Sequence, residues 1–365
     1  MIDIYSLSEI PKKFGKSGLC HYGSINKEEL ELDCELEYAD GYTNIYLDSF
    51  ESDFTLFEYM DGFSPNLNKK LHLGHLSNLI FAKTFQSLAI ANQTIAIYGD
   101  TLEGTDYSNK SQIIFDYKVN KEYFASQMTL RDESILTDGE GKYEGTKVWD
   151  NNVMIKSTGA TTYFYQDVAL RQHLKLPTLY LTGQEQTTHF AELKKYDSNV
   201  NHIGLGLVSL NGSKMSSREG NVLFMEEVIS KVNEEFNNLE LTYNVLAGSL
   251  IKSHPTTNKQ INLKDLLDVK KSLGLYVSYS LARLSKLPIE FVDKEVSPLV
   301  KYMYAKSKVK LAPSTLFSKL VDVCQTFNGD YESKSSQDNV ELYSQYKVDV
   351  EYMFDRLGLY KVEKV

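Results

Sequence analysis

The sequence predicts an α/β domain built on a parallel sheet, followed by an all-α helical bundle. Three observations predict it. Residues 54–60 form an alternating apolar run, and a polar loop with Pro65 and Gly74 leads from it into a helical pattern over 76–91 and a second strand pattern over 94–99. That succession is half of a parallel α/β unit. The rhythm resumes at Val153-Met154-Ile155, with a helix over 166–174 and a buried strand over 178–182. After Glu226 strand signals stop, and Leu266, Val269, Leu273, Val277, Leu281 and Leu284 recur at spacings of three and four until Pro288.

In chain order, residues 1–50 read as a small β-rich segment. Residues 31–38 alternate strictly as a half-exposed strand, and a second strand over 44–47 follows the Asp40-Gly41 turn. Residues 51–225 form the Rossmann-like parallel-sheet domain, interrupted at about 105–150 by an insertion dense in Gly, Asp, Asn and Lys. A Gly-rich segment over 202–210 leads into a polar loop at Lys214. Residues 226–365 form the bundle, with further helices over 313–327 and 343–357 and Gly358 as a stop.

A chain of 365 residues has room for this much core. Its net charge of −10 excludes a general electrostatic attraction to nucleic acid or to an anionic membrane, so an RNA partner needs a local basic surface. Lysines 301, 306, 308 and 310 are the densest group, read as a solvated helix face ahead of a contact patch. Three cysteines without a Cys-x-x-Cys pair indicate neither a disulfide framework nor a zinc site, and no metal ligands are expected. No apolar run reaches transmembrane length, and the N-terminus, with Asp3, Glu9 and Pro11-Lys12-Lys13, is not a signal peptide. A cytoplasmic monomer is expected.

The chemistry starts at Ser64-Pro65-Asn66-Leu67-Asn68-Lys69-Lys70-Leu71-His72-Leu73-Gly74-His75, between the first strand and its helix. A strand, a polar loop and a helix N-terminus point backbone N–H groups at an anion, and His72 and His75 flank that place. Gly74, lacking a side chain, lets a flat base or ribose approach the backbone. On its own, a His-x-Gly-His is more often capping and packing. A second phosphate-handling loop lies far along the chain: Lys214-Met215-Ser216-Ser217-Arg218-Glu219-Gly220.

In this order the two stretches resemble the paired signatures of class I aminoacyl-tRNA synthetases, and the longer Ser-Pro-Asn-x-x-Lys-x-x-His-x-Gly-His string resembles the arginyl-tRNA synthetase version. The resemblance runs over roughly residues 54–365 and is weakest across 100–150. It implies activation of L-arginine with ATP, Mg2+ serving as the usual ATP counter-ion without protein ligands, and transfer to tRNA-Arg. Lys69, His72, His75 and Lys214 are then the catalytic set, and Gly74, Gly183, His202, Gly206, Met215, Ser216 and Ser217 bind ATP. For arginine, the resemblance implies Tyr163 and Asp167 at the guanidinium, Asp61 where the family usually has Glu, Ser64 beside it, and Asn66 and Gln186 at the α-amino end. The spacing is consistent with this: Tyr163 and Asp167 are four apart at a helix start and share a face. A guanidinium, planar and always charged, wants carboxylates and hydroxyls in a polar recess. His189, taken singly, reads as a satisfied core histidine.

Departures from the family are specific. Tyr98-Gly99-Asp100-Thr101-Leu102-Glu103-Gly104 replaces the usual Gly-Asp-Trp-Gly segment, Ser77 stands where Arg is common, and the N-terminal tRNA-contacting domain is absent or reduced to the first 50 residues. These leave activation better supported than tRNA charging. The alternatives are a paralogue that passes activated arginine to a small molecule or peptide amine, and a non-catalytic binding protein of the same fold.

Overall fold

The computed structural model describes residues 3–9, 18–65, 70–95, 137–210, 224–287, 292–333 and 340–365. Four parallel strands form its centre: β5 (Phe57–Asp61), β6 (Ala91–Ile95), β10 (Thr178–Gly183) and β11 (Val200–Leu205), in the spatial order β11-β10-β5-β6. Helix α2 (Leu73–Ser87) connects β5 to β6, while α4 (Thr187–Tyr196) connects β10 to β11. The strand order reverses between β5 and β10. At such a switch point the connections leave in opposite directions and open a crevice beyond the carboxyl ends of the strands.

Alternation along the strands sorts the two faces. Met60, Leu179, Leu181 and Ile203 join the main core with Leu73, Leu76 and Ile80 of α2. Tyr180 turns the other way, into a smaller core with Phe164 and Val168 of α3 (Tyr163–Leu174) and with Phe190 and Leu193 of α4. The Thr162 hydroxyl caps α3 by accepting from the Tyr165 N–H at 3.2 Å. Lys175, in the left-handed region at φ 39°, ends it. Buried Arg171 then bonds the Asp197 carboxylate, the Thr178 hydroxyl and the Leu176 carbonyl, fastening α3 to the foot of β10 and the end of α4.

The N-terminal segment is an antiparallel sheet in the order β1-β2-β4-β3, from β1 (Ser8–Glu9), β2 (Leu19–Tyr22), β3 (Cys34–Ala39) and β4 (Tyr42–Leu47), with the short helix α1 (Lys27–Leu30) between β2 and β3. Both expected strands are there. Val153-Met154-Ile155, however, does not join the parallel sheet. It lies in β9 (Asn152–Ile155), the edge of a small antiparallel sheet with β7 (Thr137–Asp138) and β8 (Lys147–Trp149). A short apolar run carries no information about its partner, and here the turn at Asp150 and Asn151, both at positive φ, folds it back on β8.

Beyond β12 (Val208–Leu210) the chain is mainly helical: α5 (Met225–Phe236), α6 (Leu239–Ile251), α7 (Leu263–Leu266), α8 (Leu273–Ser285), α9 (Pro298–Val309), α10 (Pro313–Glu332) and α11 (Val340–Leu357). One strand intervenes, β13 (Lys259–Ile261), parallel to β12. The periodic run from Leu266 to Leu284 is two helices, because the Asn262 side chain caps Lys264 N and the Ser272 hydroxyl caps Leu275 N. Helices α6 and α8 cross where Gly248 meets Gly274, and a Cβ on Gly274 would strike the Asn244 carbonyl. Tyr360 reaches back to the parallel-sheet region: its backbone exchanges two 2.8 Å hydrogen bonds with Asn244, and its hydroxyl accepts from Lys83 of α2 at 2.5 Å. Among the described residues no helix is long and apolar enough to cross a membrane.

Candidate active site

The crevice at the switch point is built by three strand ends and one helix start. Asn78, on the second turn of α2, donates from one amide nitrogen to Gly62 O at 2.8 Å and to Leu181 O at 2.9 Å, holding the ends of β5 and β10 together. Asp61, the last residue of β5, lies opposite Tyr180 in the register, and Tyr180 lies opposite His202. All three therefore face the side covered by α3 and α4.

Asp61 is 5% exposed. Burial, together with the neighbouring Asp167 carboxylate, lifts its carboxyl to about 7, and the Ser64 hydroxyl donating to Oδ1 at 2.5 Å offsets only part of this. Asp167 comes from α3, half-buried, with Oδ2 2.6 Å from His189 Nε2. Burial pushes Tyr180 upward as well, with the Asp167 and Asp61 charges adding to it. Its hydroxyl is buried without a hydrogen bond of ordinary geometry, since the neighbouring Arg171 is engaged with Asp197, Thr178 and Leu176. His202 stacks on Phe190 at 4.6 Å and bonds the Thr182 hydroxyl at 2.8 Å. Burial, with His189 beside it, lowers His202 to about 4, so the ring is neutral at pH 7.

Next to the carboxyl cluster the two imidazoles of the first motif cap α2. His72 is the N-cap, its Nδ1 accepting from Gly74 N at 3.1 Å, while Nδ1 of His75 accepts from His72 N at 3.1 Å. The rings lie 3.9 Å apart. With both Nδ1 atoms accepting, the proton of each neutral ring is on Nε2. Burial lowers His72, partly countered by Glu185. Capping and a phosphate-facing role are therefore compatible in one pair of side chains.

Several expected residues take a definite place. Gly74 is needed because the His72 ring folds over it; a Cβ would sit 2.9 Å from Cε1. Gly206 lies against the Thr257 backbone, so packing already demands glycine there, whereas Gly183 ends β10 under the movable end of the Glu185 side chain. Tyr163 is 65% exposed at the first turn of α3, and Gln186 is exposed just before α4, so neither joins the Asp61–Asp167 cluster directly. Asn66, Lys69, Lys214, Met215, Ser216 and Ser217 lie outside the described residues.

The flanks of the second motif are nonetheless informative. Phe224 forms an antiparallel bridge with His72, Met225 N donates to Leu71 O at 2.9 Å, and Lys70 Nζ lies 4.9 Å from the Phe224 ring centre. The chain following the Lys214 loop is thus tied to the chain entering the histidine pair. Sequence reasoning missed Asn78, Tyr180, Glu185 and the role of His189. Only Glu185 and His189 carried a signal, through the run from Gly183 to Phe190.

No protein-family model matches the chain. Curated relatives do. The arginine–tRNA ligase of Lactobacillus johnsonii is 27% identical over 221 residues, 51% of this chain and 39% of that protein. The one from Pediococcus pentosaceus is 29% identical over 216 residues, 49% and 38% respectively. The alignment to the Lactobacillus acidophilus enzyme takes in 90% of this chain and 66% of the relative at 23% identity. The chain is a homologue of the arginyl-tRNA synthetases. The fold agrees: the Thermus thermophilus arginyl-tRNA synthetase superposes with a TM-score of 0.63 over 91% of this chain and 89% of that one, at 15% identity. The Plasmodium falciparum enzyme superposes with a TM-score of 0.62 at 17% identity, over 91% and 86%. The matched stretch spans about two-fifths of the first two relatives' length.

Proposed function

We propose that the protein activates L-arginine with ATP and transfers it to tRNA-Arg. The arginine carboxylate attacks the α-phosphorus of ATP, forming the acyl–phosphate bond of arginyl-adenylate and breaking the bond to pyrophosphate. A tRNA ribose hydroxyl then displaces AMP. The observation that carries this reading is the pair Asp61 and Asp167, two interacting carboxyl groups in one crevice beside a helix start capped by two histidines.

The parts divide the work by electrostatics and positioning. Asp61 and Asp167 take the guanidinium, with Ser64 orienting Asp61 and with Tyr163 and Gln186 closing in from the rim. Asn66 completes the amino-acid end. His72 and His75, with Nε2–H groups and the positive end of α2, stabilise phosphate charge, with Gly74, Gly183, His202 and Gly206 around the nucleotide and Mg2+ accompanying ATP. Lys69 and Lys214, with Met215, Ser216 and Ser217, follow the charge on the leaving pyrophosphate. The bridge between His72 and Phe224 supports the second motif acting here. Residues 1–50, 51–225 and 226–365 serve as N-terminal, catalytic and anticodon-binding parts, with about 105–150 inserted in the second. Three free thiols at Cys20, Cys34 and Cys324 suit the cytoplasm.

Arginine-dependent ATP–pyrophosphate exchange, with and without tRNA, and acid-precipitable labelling of tRNA-Arg by arginine, test the proposal. Exchange and charging are expected. Exchange alone points to another acceptor, and failure of both overturns the assignment. Lys214→Ala is expected to slow exchange about 10- to 100-fold, the worth of one charge-assisted hydrogen bond in the transition state.

A further inference from the structure

Asp61 and Asp167 each commit one oxygen inward. Oδ1 of Asp61 is taken by the Ser64 hydroxyl and Oδ2 of Asp167 by His189. An ionised carboxylate only accepts, so His189 Nε2 carries the proton and donates it. The imidazole is itself held edge-on between two rings, Phe164 at 5.4 Å and Phe190 at 5.1 Å. Among the described residues nothing bonds the remaining oxygens, Oδ2 of Asp61 and Oδ1 of Asp167.

We propose that His189 is a positioning residue of the arginine site: it locks Asp167 with Oδ1 turned to the substrate, so that the guanidinium spans two carboxyl groups, one oxygen from each. This rests on the arginine reading above. A planar fork of five N–H donors can address two separated oxygens at once, whereas an ammonium meets them as a point charge. Without the His189 bond, Asp167 is free to rotate and must be ordered by the substrate.

Two substitutions separate this from plain packing. His189→Phe keeps the aromatic contacts with Phe164 and Phe190 and removes the donor. His189→Gln loses the ring and keeps an N–H donor near the Nε2 position. In arginine-dependent ATP–pyrophosphate exchange, His189→Phe is expected to raise KM for arginine about 10- to 100-fold. KM for ATP and kcat should move by less than about threefold, and His189→Gln should recover most of the loss. Wild-type KM in His189→Phe, or equal damage in both variants, overturns the proposal and leaves the arginine reading intact. Thermal shift with arginine is the second measurement. Stabilisation of the wild type but not of His189→Phe supports the positioning role even without exchange. If arginine neither drives exchange nor stabilises the wild type, both readings fall.

Discussion

Asp61→Asn is expected to stabilise the protein at pH 8 by ~2–4 kcal/mol while abolishing arginine-dependent exchange. Burial holds the Asp61 carboxyl at about 7, against 3.8 for an ordinary aspartate. Between those values the folded protein binds a proton that the unfolded chain does not. Stability therefore falls as pH rises from about 4 to about 7, by up to 1.36 kcal/mol per unit, and the full penalty persists above that. Asparagine never ionises, keeps an acceptor for Ser64 and flattens this part of the profile. Urea unfolding of both proteins from pH 5 to pH 8 measures it; parallel profiles would show that Asp61 is already ionised at low cost. The same proton enters substrate binding. A guanidinium needs Asp61 ionised, so KM for arginine in the wild type should rise as pH falls below about 7, approaching tenfold per unit in the limit.

The other large effect concerns the scaffold. Arg171 has a fully buried side chain, with Nε and Nη2 2.7 and 2.6 Å from Asp197 Oδ2 and Nη1 2.6 Å from the Thr178 hydroxyl. Asp197 also caps the following turn, Oδ1 accepting from Asn199 N at 2.9 Å. Arg171→Ala leaves that carboxylate mostly buried, opens a void beneath α3 and removes the donors to the Asp197 carboxylate and the Thr178 hydroxyl, while Leu176 O keeps the Thr178 hydroxyl. A loss of about 3–5 kcal/mol is expected, lowering Tm by roughly 5–15 °C. Removing both charges together, in Arg171→Met with Asp197→Leu, should cost much less, because attraction between buried charges is spent largely on their desolvation. If the double variant is as unstable as Arg171→Ala, the hydrogen bonds to Thr178 and Leu176 matter more than the ion pair.

How far residues alone reveal such a site depends on what kind of order is involved. Strands β5, β10 and helix α2 were legible because their patterns run for five residues or more and are punctuated by Pro65, Gly74 and Gly183. Strand β13 was not: three residues carry too little period, and it exists because β12 offers it an edge. The break before α8 was legible in principle through Ser272, whose capping role competes with an uninterrupted apolar period. At the site, Asp61 and Asp167 were identified by resemblance, but their mutual influence follows from the packing of α3 on Tyr180, the register partner of Asp61, which no local pattern encodes. His189 looked like a core histidine because its partner lies 22 positions earlier on another helix. The glycines were identified as ligand-facing, although the space over Gly74 and Gly206 is filled by His72 and by the Thr257 backbone.

The clasp between Lys83, Tyr360 and Asn244 has a mechanical corollary. Lys83 sits 3.8 Å from the Tyr360 ring centre and 4.5 Å from that of Tyr243, on the same rigid rod that bears the twin imidazoles at its opposite tip. Sliding or rolling that rod would have to break a latch made by the last helical part of the chain. The aim of the histidines is thereby set from a distance, and a change near position 360 would be felt at the far end of that rod.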